Sequence, residues 1–232
     1  GYVYAYGMHT THGRALPFAQ GLKLANPELN VIACGGDGDG MAIGLGHTYH
    51  AIRRNVNLTY ILMDNHVYGL TKGQTSPRSD WGFKTKTTPT GNIETPVATL
   101  EMALSAGASF VAQGFSTQLQ ELTDLIVAAV KHPGFSLVNV FSPCVTFNKV
   151  NTYDWFKERL VGIDSIEDYD RYDKGKVLQH ILEHEGLLTG LLYEDRKKRS
   201  YEEVSGLANN NQMQSVRKFT KAEFNKLVED FR

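Results

Sequence analysis

Cysteine is scarce in this 232-residue chain, with two in all, and so few exclude a disulfide scaffold. An excess of one charge sign is also missing: 24 Lys and Arg stand against 25 Asp and Glu, for a formal net charge of −1. A general nucleic-acid binder shows a basic face, so this balance argues against one. No apolar stretch reaches the roughly 18 residues that span a bilayer, so no membrane crossing is expected. Internal repeats are absent and no signal peptide is visible, which makes the cytoplasm the expected location. What remains is ordinary globular composition, 41% hydrophobic and 21% charged, at a length suited to one large domain or one domain plus a tail. Of the two cysteines, Cys34 ends an apolar run and reads as a small buried strand residue. Cys144 follows a Ser-Pro turn and is expected to be more exposed.

Glycine and aspartate are concentrated in one place. Val31-Ile32-Ala33-Cys34 runs into Gly35-Gly36-Asp37-Gly38-Asp39-Gly40, and a second apolar run, Leu58 to Met63, ends in Asp64-Asn65-His66-Val67-Tyr68-Gly69. Both runs read as short buried strands, with a helix of suitable length, Met41 to Arg54, between them. Such a strand–turn–helix–strand unit places both polar turns at the carboxyl ends of neighbouring parallel strands, where open α/β sheets bind ligands. A glycine turn at a helix N-terminus offers N–H groups to a phosphate, yet Asp37 and Asp39 would repel it. A hard divalent cation such as Mg²⁺ resolves that conflict, because it takes oxygens from protein and phosphate alike. Asn65 offers an amide oxygen and Val67 a backbone carbonyl, so the pattern points to a Mg²⁺-diphosphate. Two rival motifs fail. The dinucleotide fingerprint counted from Gly36 or Gly38 ends on Met41 or Ile43, and the P-loop needs Lys-Ser/Thr where Met41-Ala42 stand. The plain alternative is a Gly-rich turn with no ligand.

The remaining elements alternate. Ala15 to Leu24 is an expected helix stopped by Asn26-Pro27. Residues 69–94 lack periodicity, and a loop of that length is usually functional. Thr95 and Pro96 read as N-cap and first residue of a helix that runs to about Ser105 and ends at Gly107. A strand follows near Phe110–Ala112, and Thr117-x-x-Gln120 reads as a capping box opening a helix with Leu119, Leu122, Ile126 and Ala129 on its apolar face. Pro133-Gly134 breaks it before a strand at Phe135–Phe141. The expected fold class is therefore α/β, a parallel sheet flanked by helices. Residues 1–150 form the ligand-binding domain, and 151–232 a helical C-terminal extension and tail. Helices are expected at Asp154–Leu160, at Lys174–Glu185, and after a Thr220-x-x-Glu223 capping box. The polar stretch from Glu194 to Val216 reads as a surface loop or mobile tail.

Gly36-Asp37-Gly38, followed after 26 residues by Asn65, resembles the thiamine diphosphate (TPP) motif. The stretch from His12 to Pro77 closely resembles the β subunit of 2-oxoacid:ferredoxin oxidoreductases, and within them the 2-oxoglutarate branch; the likeness is strong from residue 4 to about 150 and weaker beyond. The resemblance implies a thiamine diphosphate-binding fold in which Gly36, Asp37, Gly38, Asp39, Asn65, Val67, Tyr68, Gly69 and Leu70 hold the cofactor, and Asp37, Asn65 and the Val67 carbonyl ligate Mg²⁺. It implies a [4Fe–4S] cluster with Cys144 as one ligand; the other three would lie upstream of Gly1, in a parent protein longer than this chain. The implied reaction is oxidative decarboxylation of a 2-oxo acid, by branch 2-oxoglutarate, with coenzyme A. It gives succinyl-CoA, CO₂ and reduced ferredoxin. The implied partner is an α subunit with the pyrimidine-binding domain, the αβ unit being dimerised.

Individual residues carry competing readings. Lys72 is either a solvated loop lysine or, as the resemblance implies, a contact for the 2-oxo acid. His9 and His12 lack a third ligand nearby, so zinc is not expected. They form a hydrogen-bonded structural pair, or His12 faces cofactor or substrate. His47 and His50 read as packed or surface histidines. Asp39 alternatively caps the following helix. Lys84 and Lys86 read as loop charges or contacts for coenzyme A or a partner. Three other readings stand beside the main one: a non-oxidative TPP-dependent decarboxylase or synthase, a pyruvate-type oxidoreductase, and a non-enzymatic phosphate-binding subunit.

Overall fold

The computed structural model describes residues 3–207, 218 and 220–229. In chain order the elements are α1 (Ala15–Ala25), β1 (Ile32–Gly36), a π-turn (Asp39–Ile43), α2 (Leu45–Arg54), β2 (Leu58–Asp64), α3 (Thr99–Ser105), β3 (Phe110–Phe115), α4 (Leu119–Lys131) and β4 (Phe135–Phe141). Then follow α5 (Tyr153–Arg159), β5 (Val161–Gly162), α6 (Lys174–Glu183), β6 (Leu188–Glu194), α7 (Tyr201–Val204) and α8 (Lys221–Glu229). They build one six-stranded sheet in the order β1-β2-β4-β3-β6-β5. The first four strands in that order are mutually parallel, and β6 runs antiparallel to β3. The expected α/β class and parallel sheet are thus present.

The main core lies on the face covered by α1, α2, α3 and α6, with Leu16, Ile52, Leu104 and Ile181 packed on Tyr60, Leu62, Leu137 and Leu192. On the opposite face α4 lays Leu125 and Ala129 over Phe110, Ala112, Val138 and Val140. Its reach stops there. The β1–β2 end of that face is open, leaving Ile32 and Met63 about half exposed. Cys34 lies on this open face and is exposed, not buried as expected, because β1 is an edge strand with alternating burial.

Several boundaries differ from the sequence reading. The helix expected to follow Thr95 starts at Thr99. Val97 N–H donates to the Pro77 carbonyl and the Val97 carbonyl accepts from Arg78, so this segment is tied to the preceding loop instead of coiling. The Thr117/Gln120 capping box does not form; Ser116 and Gln118 N–H groups turn back onto Phe141 and Phe115 carbonyls, and Gln118 becomes the cap residue without a side-chain bond. Leu119 is exposed, and Leu125 takes its expected place on the apolar face of α4. The helix expected from Met41 begins earlier, as a π-turn closed by Gly44 N–H on the Asp39 carbonyl at 3.0 Å. The C-terminal box is present: Thr220 N–H donates to Glu223 and Glu223 N–H to Thr220 Oγ1.

The extension expected to be helical also contributes β5 and β6, so a boundary at residue 150 divides segments that share one sheet. Gly190 hides β6 in the sequence. It sits at φ +125°, with the Ile163 side chain where a Cβ would project. Leu188 and Leu192 enter the main core while Leu191 faces the other. The stretch expected as loop or tail from Glu194 to Val216 is ordered at its start. Ser200 and Glu203 form a capping box, and the buried Glu202 accepts the Asn57 N–H through both oxygens at 3.1 Å. Its residues 208–216 lie outside those described.

Asn55 joins these parts. It is buried in the left-handed region at φ 58°; its Oδ1 accepts from Ser109 Oγ at 2.6 Å and Phe135 N–H at 3.0 Å, and its Nδ2 donates to the Arg199 carbonyl at 3.0 Å. Asn55→Ala removes three hydrogen bonds, two of them to buried partners, and keeps an unfavourable φ. We expect a loss of about 2–4 kcal/mol, read as a lower urea midpoint in equilibrium denaturation.

Candidate functional site

Parallel pairing places Gly36 beside Met63, and Asp64 beside Phe141, so β1, β2 and β4 end together at one rim of the sheet. A cavity of about 770 Å³ opens there. It is lined by residues 6–12, by one side of α1, by β1 through Asp39, and by Met63, Asn65 and 67–70. His12, Gly36, Asp37, Gly38, Asp39, Asn65, Val67, Tyr68, Gly69 and Leu70 therefore meet at a single site, although the chain separates them by up to 58 positions (12 to 70). Lys72 is not among the lining residues; it is exposed in the turn closed by its N–H on Gly69, at φ 78°. Cys144 is half-buried just behind the lining, where its Sγ would meet a Cβ on Gly69 at 3.3 Å. His9 also lines the cavity, exposed, while Lys84 and Lys86 stand exposed on the loop away from it.

The two aspartates of the glycine turn differ in role. Asp37 is buried, and its Oδ2 accepts from Ser76 Oγ at 2.5 Å. Burial, with the Asp64 carboxylate nearby, pushes its pKa up to about 6. Asp39 is a clasp. Its Oδ1 accepts from Gly13 N–H at 2.5 Å and from His12 Nδ1 at 2.8 Å, which fixes the residue 12–13 turn over the glycines. The contact selects the tautomer with the proton on Nδ1, in which Nε2 is the acceptor. Gly38 lies under the Tyr68 ring, whose hydroxyl donates to the Gly38 carbonyl at 3.0 Å; any Cβ at residue 38 would strike that ring.

On the second turn, Asn65 Oδ1 accepts the Val67 N–H at 3.0 Å, folding the chain around His66, which is held at φ 59°. Beneath it is a buried charge group. Burial works to raise the Asp64 pKa, but Arg78, whose Nε donates to Asp64 Oδ2 at 2.9 Å, together with His66 and the Asn139 amide holds it below the usual range. His66 stands between carboxylates, Nε2 at 3.5 Å from Asp64 Oδ1 and Nδ1 at 3.7 Å from Asp80 Oδ1, at ion-pair distances but outside hydrogen-bond geometry. Sequence reasoning assigns no role to Asp64, His66, Ser76 or Arg78. It marks the long loop as functional, but no local pattern tells which of the loop residues reaches back 39 positions to Asp37.

The donor set fits a divalent cation bridging to a diphosphate. A buried carboxylate with a neutral hydroxyl as its hydrogen-bonding side chain, an amide oxygen and an adjacent backbone carbonyl are hard oxygen donors. The N-terminal end of the π-turn and α2 faces the same space.

Residues 1–140 match the family described as thiamine pyrophosphate enzyme, C-terminal TPP binding domain. Residues 144–209 match the family described as the C-terminal part of the pyruvate ferredoxin oxidoreductase beta subunit. The 2-oxoacid:ferredoxin oxidoreductase subunit beta of Sulfolobus sp is 48% identical over 164 residues, 71% of this chain and 54% of that protein. The 2-oxoglutarate synthase subunit KorB of Archaeoglobus fulgidus is 47% identical over 150 residues, 65% of this chain and 56% of its own. Among solved structures, 2-oxoglutarate:ferredoxin oxidoreductase from Magnetococcus marinus, with 2-oxoglutarate, coenzyme A and succinyl-CoA bound, superposes with a TM-score of 0.86 at 39% identity, covering 99% of this chain and 77% of that one. The chain spans about half the length of the curated relatives it matches.

The raised Asp37 pKa makes stability depend on pH. Between the ordinary aspartate value of 3.8 and about 6, the folded, cation-free protein holds a proton here that the unfolded chain releases, so this group's contribution to stability falls as pH rises through that window. Asp37→Asn keeps an acceptor for Ser76 and removes the charge. With chelator present we expect it to stabilise the protein by roughly 2–3 kcal/mol at pH 8 and to leave stability near pH 4 almost unchanged, read by urea denaturation at both pH values.

Proposed function

The chain belongs to the thiamine pyrophosphate enzymes, and on that premise we propose that it is the diphosphate- and metal-binding half of a 2-oxoacid:ferredoxin oxidoreductase. The observation that carries this reading is the convergence of Asp37, Asn65 and Val67 with His12 and Tyr68 on one cavity at the carboxyl ends of parallel strands. Asp37 and Asn65 hold Mg²⁺ through side-chain oxygens and Val67 through its carbonyl, and the glycine turn receives the diphosphate. Bound thiamine diphosphate supplies the carbanion chemistry of oxidative decarboxylation. The protein orients and insulates. Tyr68 closes over Gly38, and Asp39 holds His12 so that Nε2 can accept a proton from substrate or cofactor and return it. Leu70, almost fully exposed, forms the apolar lip.

The preferred substrate is 2-oxoglutarate, with coenzyme A as acyl acceptor and ferredoxin as electron acceptor. The names of the similar proteins and the ligands of the superposed structure support this reading. The family description for residues 144–209 favours a second, pyruvate-type substrate. Cys144, whose Sγ lies against Gly69 of the cavity lining, is proposed as one ligand of a [4Fe–4S] cluster. The active site is completed by an α subunit. The cavity is open, and Phe18, Ile32, Met63 and Leu70 on its walls are about half or more exposed, an apolar surface suited to a partner.

The test is anaerobic ferredoxin reduction by the full-length subunit assembled with its partner, with coenzyme A, comparing 2-oxoglutarate with pyruvate. Rapid reduction with 2-oxoglutarate is expected. Pyruvate preference would reverse the substrate assignment, and no reduction by either in a complex holding cofactor and iron would sink the reading. In calorimetry on the same complex, Asp37→Ala is expected to weaken joint TPP and Mg²⁺ binding by more than about 100-fold, exceeding the effect of losing an outer-shell partner. Wild-type affinity should fall about tenfold per pH unit below about 6, as a proton competes for Asp37.

A further inference from the structure

The last turn of α6 and its C-cap residue carry His180, Glu183 and His184, whose side-chain donor atoms lie within 4.8 Å of one another, far along the chain from the cavity residues. Histidines four apart share one face of a helix, and a carboxylate at the third position lies between them. Each of the three is oriented by an outer partner. The His180 ring stacks on Tyr169 at 5.2 Å, and the Tyr169 hydroxyl is anchored on the Leu192 carbonyl at 2.9 Å. Glu183 Oε1 accepts from Gln179 at 2.7 Å, while its Oε2 stands 3.4 Å from His180 Nδ1. His184 Nδ1 lies 2.9 Å from the His180 carbonyl, so that nitrogen carries the proton and Nε2 presents its lone pair. His180 Nδ1 is buried and has no hydrogen-bond partner.

We propose that His180, Glu183 and His184 form a binding site for a zinc-class divalent cation. Two imidazoles and a carboxylate are the donor set of an open three-ligand zinc site, whose fourth position goes to water. Ring nitrogens favour Zn²⁺ over Mg²⁺, which takes oxygens, so this site is chemically separate from the Asp37 pair. Outer partners that fix ring orientation and tautomer are the usual support of such ligands. The C-terminal end of a helix adds a field that favours a cation. Donor-to-metal distances of about 2.1 Å place tetrahedral donors roughly 3.4 Å apart, so the three side chains close by about an ångström. A bound ion would staple the end of α6 immediately before β6, whose entry is already held by Gln113 Nε2 on the Gly186 and Leu188 carbonyls.

The experiment is a zinc titration of the full chain against a chromophoric chelator, in millimolar Mg²⁺ to saturate the oxygen-rich site, with imidazole nitrogen NMR on the same samples. One zinc equivalent with micromolar or tighter affinity is expected, with shifts in the His180 and His184 ring nitrogens. The double variant His180→Ala/His184→Ala should lose that equivalent. Glu183→Gln, at a half-exposed side chain away from the core, should weaken it about tenfold without disturbing the fold. Retention of the equivalent in the double variant, or zinc binding that leaves both ring signals unmoved, would overturn the proposal, as would the absence of micromolar binding in the wild type.

Discussion

Two carboxylates are buried side by side at the ends of adjacent parallel strands, and one of them alone is neutralised from within. Asp64 is paired with the largely buried Arg78. Asp37, which follows the neighbouring strand, receives a neutral hydroxyl from Ser76 and feels the Asp64 charge. Like charges in a poorly solvated place cannot both persist unless a positive charge arrives. The fold places Arg78 on Asp64 and a neutral hydroxyl on Asp37, and in the proposed function a bound metal supplies the cation for the second carboxylate. Asn65, Val67 and the glycine turn line the same open cavity as that carboxylate.

The loop between β2 and α3 makes this arrangement possible, although it contains no regular element. It is ordered by its own polar bonds. Ser79 Oγ accepts from Ser76 N–H and donates to the His66 carbonyl, Asn92 Nδ2 donates to the Ser79 and Glu94 carbonyls, and Asn151 ties to Asp80. Phe83 is buried beneath. The loop therefore works as a strap that carries Ser76 to one carboxylate and Arg78 to the other. A further polar chain runs from Asp64 through Asn139 and Gln113 to the start of β6. The C-terminal segment is thus linked by hydrogen bonds to Asp64 as well as forming the edge of the sheet.

The tail of the sheet illustrates how a strand can be missed. Leu188–Glu194 is short and interrupted by Gly190, and the sequence reading, which ends the preceding helix at Glu185, gives it no element. It is a strand because both its faces meet cores already formed by earlier elements, a condition outside its own sequence. The same holds in reverse for Thr95-Pro96, where a good local start signal loses to hydrogen bonds from the loop.

By itself the sequence determined the α/β alternation through Phe141, since hydrophobic periodicity and glycine or proline breaks are local properties. It also singled out Asp37, Asn65 and Val67, which the structure brings to one cavity, because glycine turns with carboxylates at strand ends carry their signal in adjacent residues. Tertiary structure alone decided which residues serve that set. The pairing of Ser76 with Asp37 and of Arg78 with Asp64, the His12–Asp39 clasp, the displacement of Lys72 from the cavity, and the exposure of Cys34 on an open edge all depend on distant segments meeting. Charge balance in a buried site is a sum over everything brought near, and nothing in the order of residues along the chain states that sum.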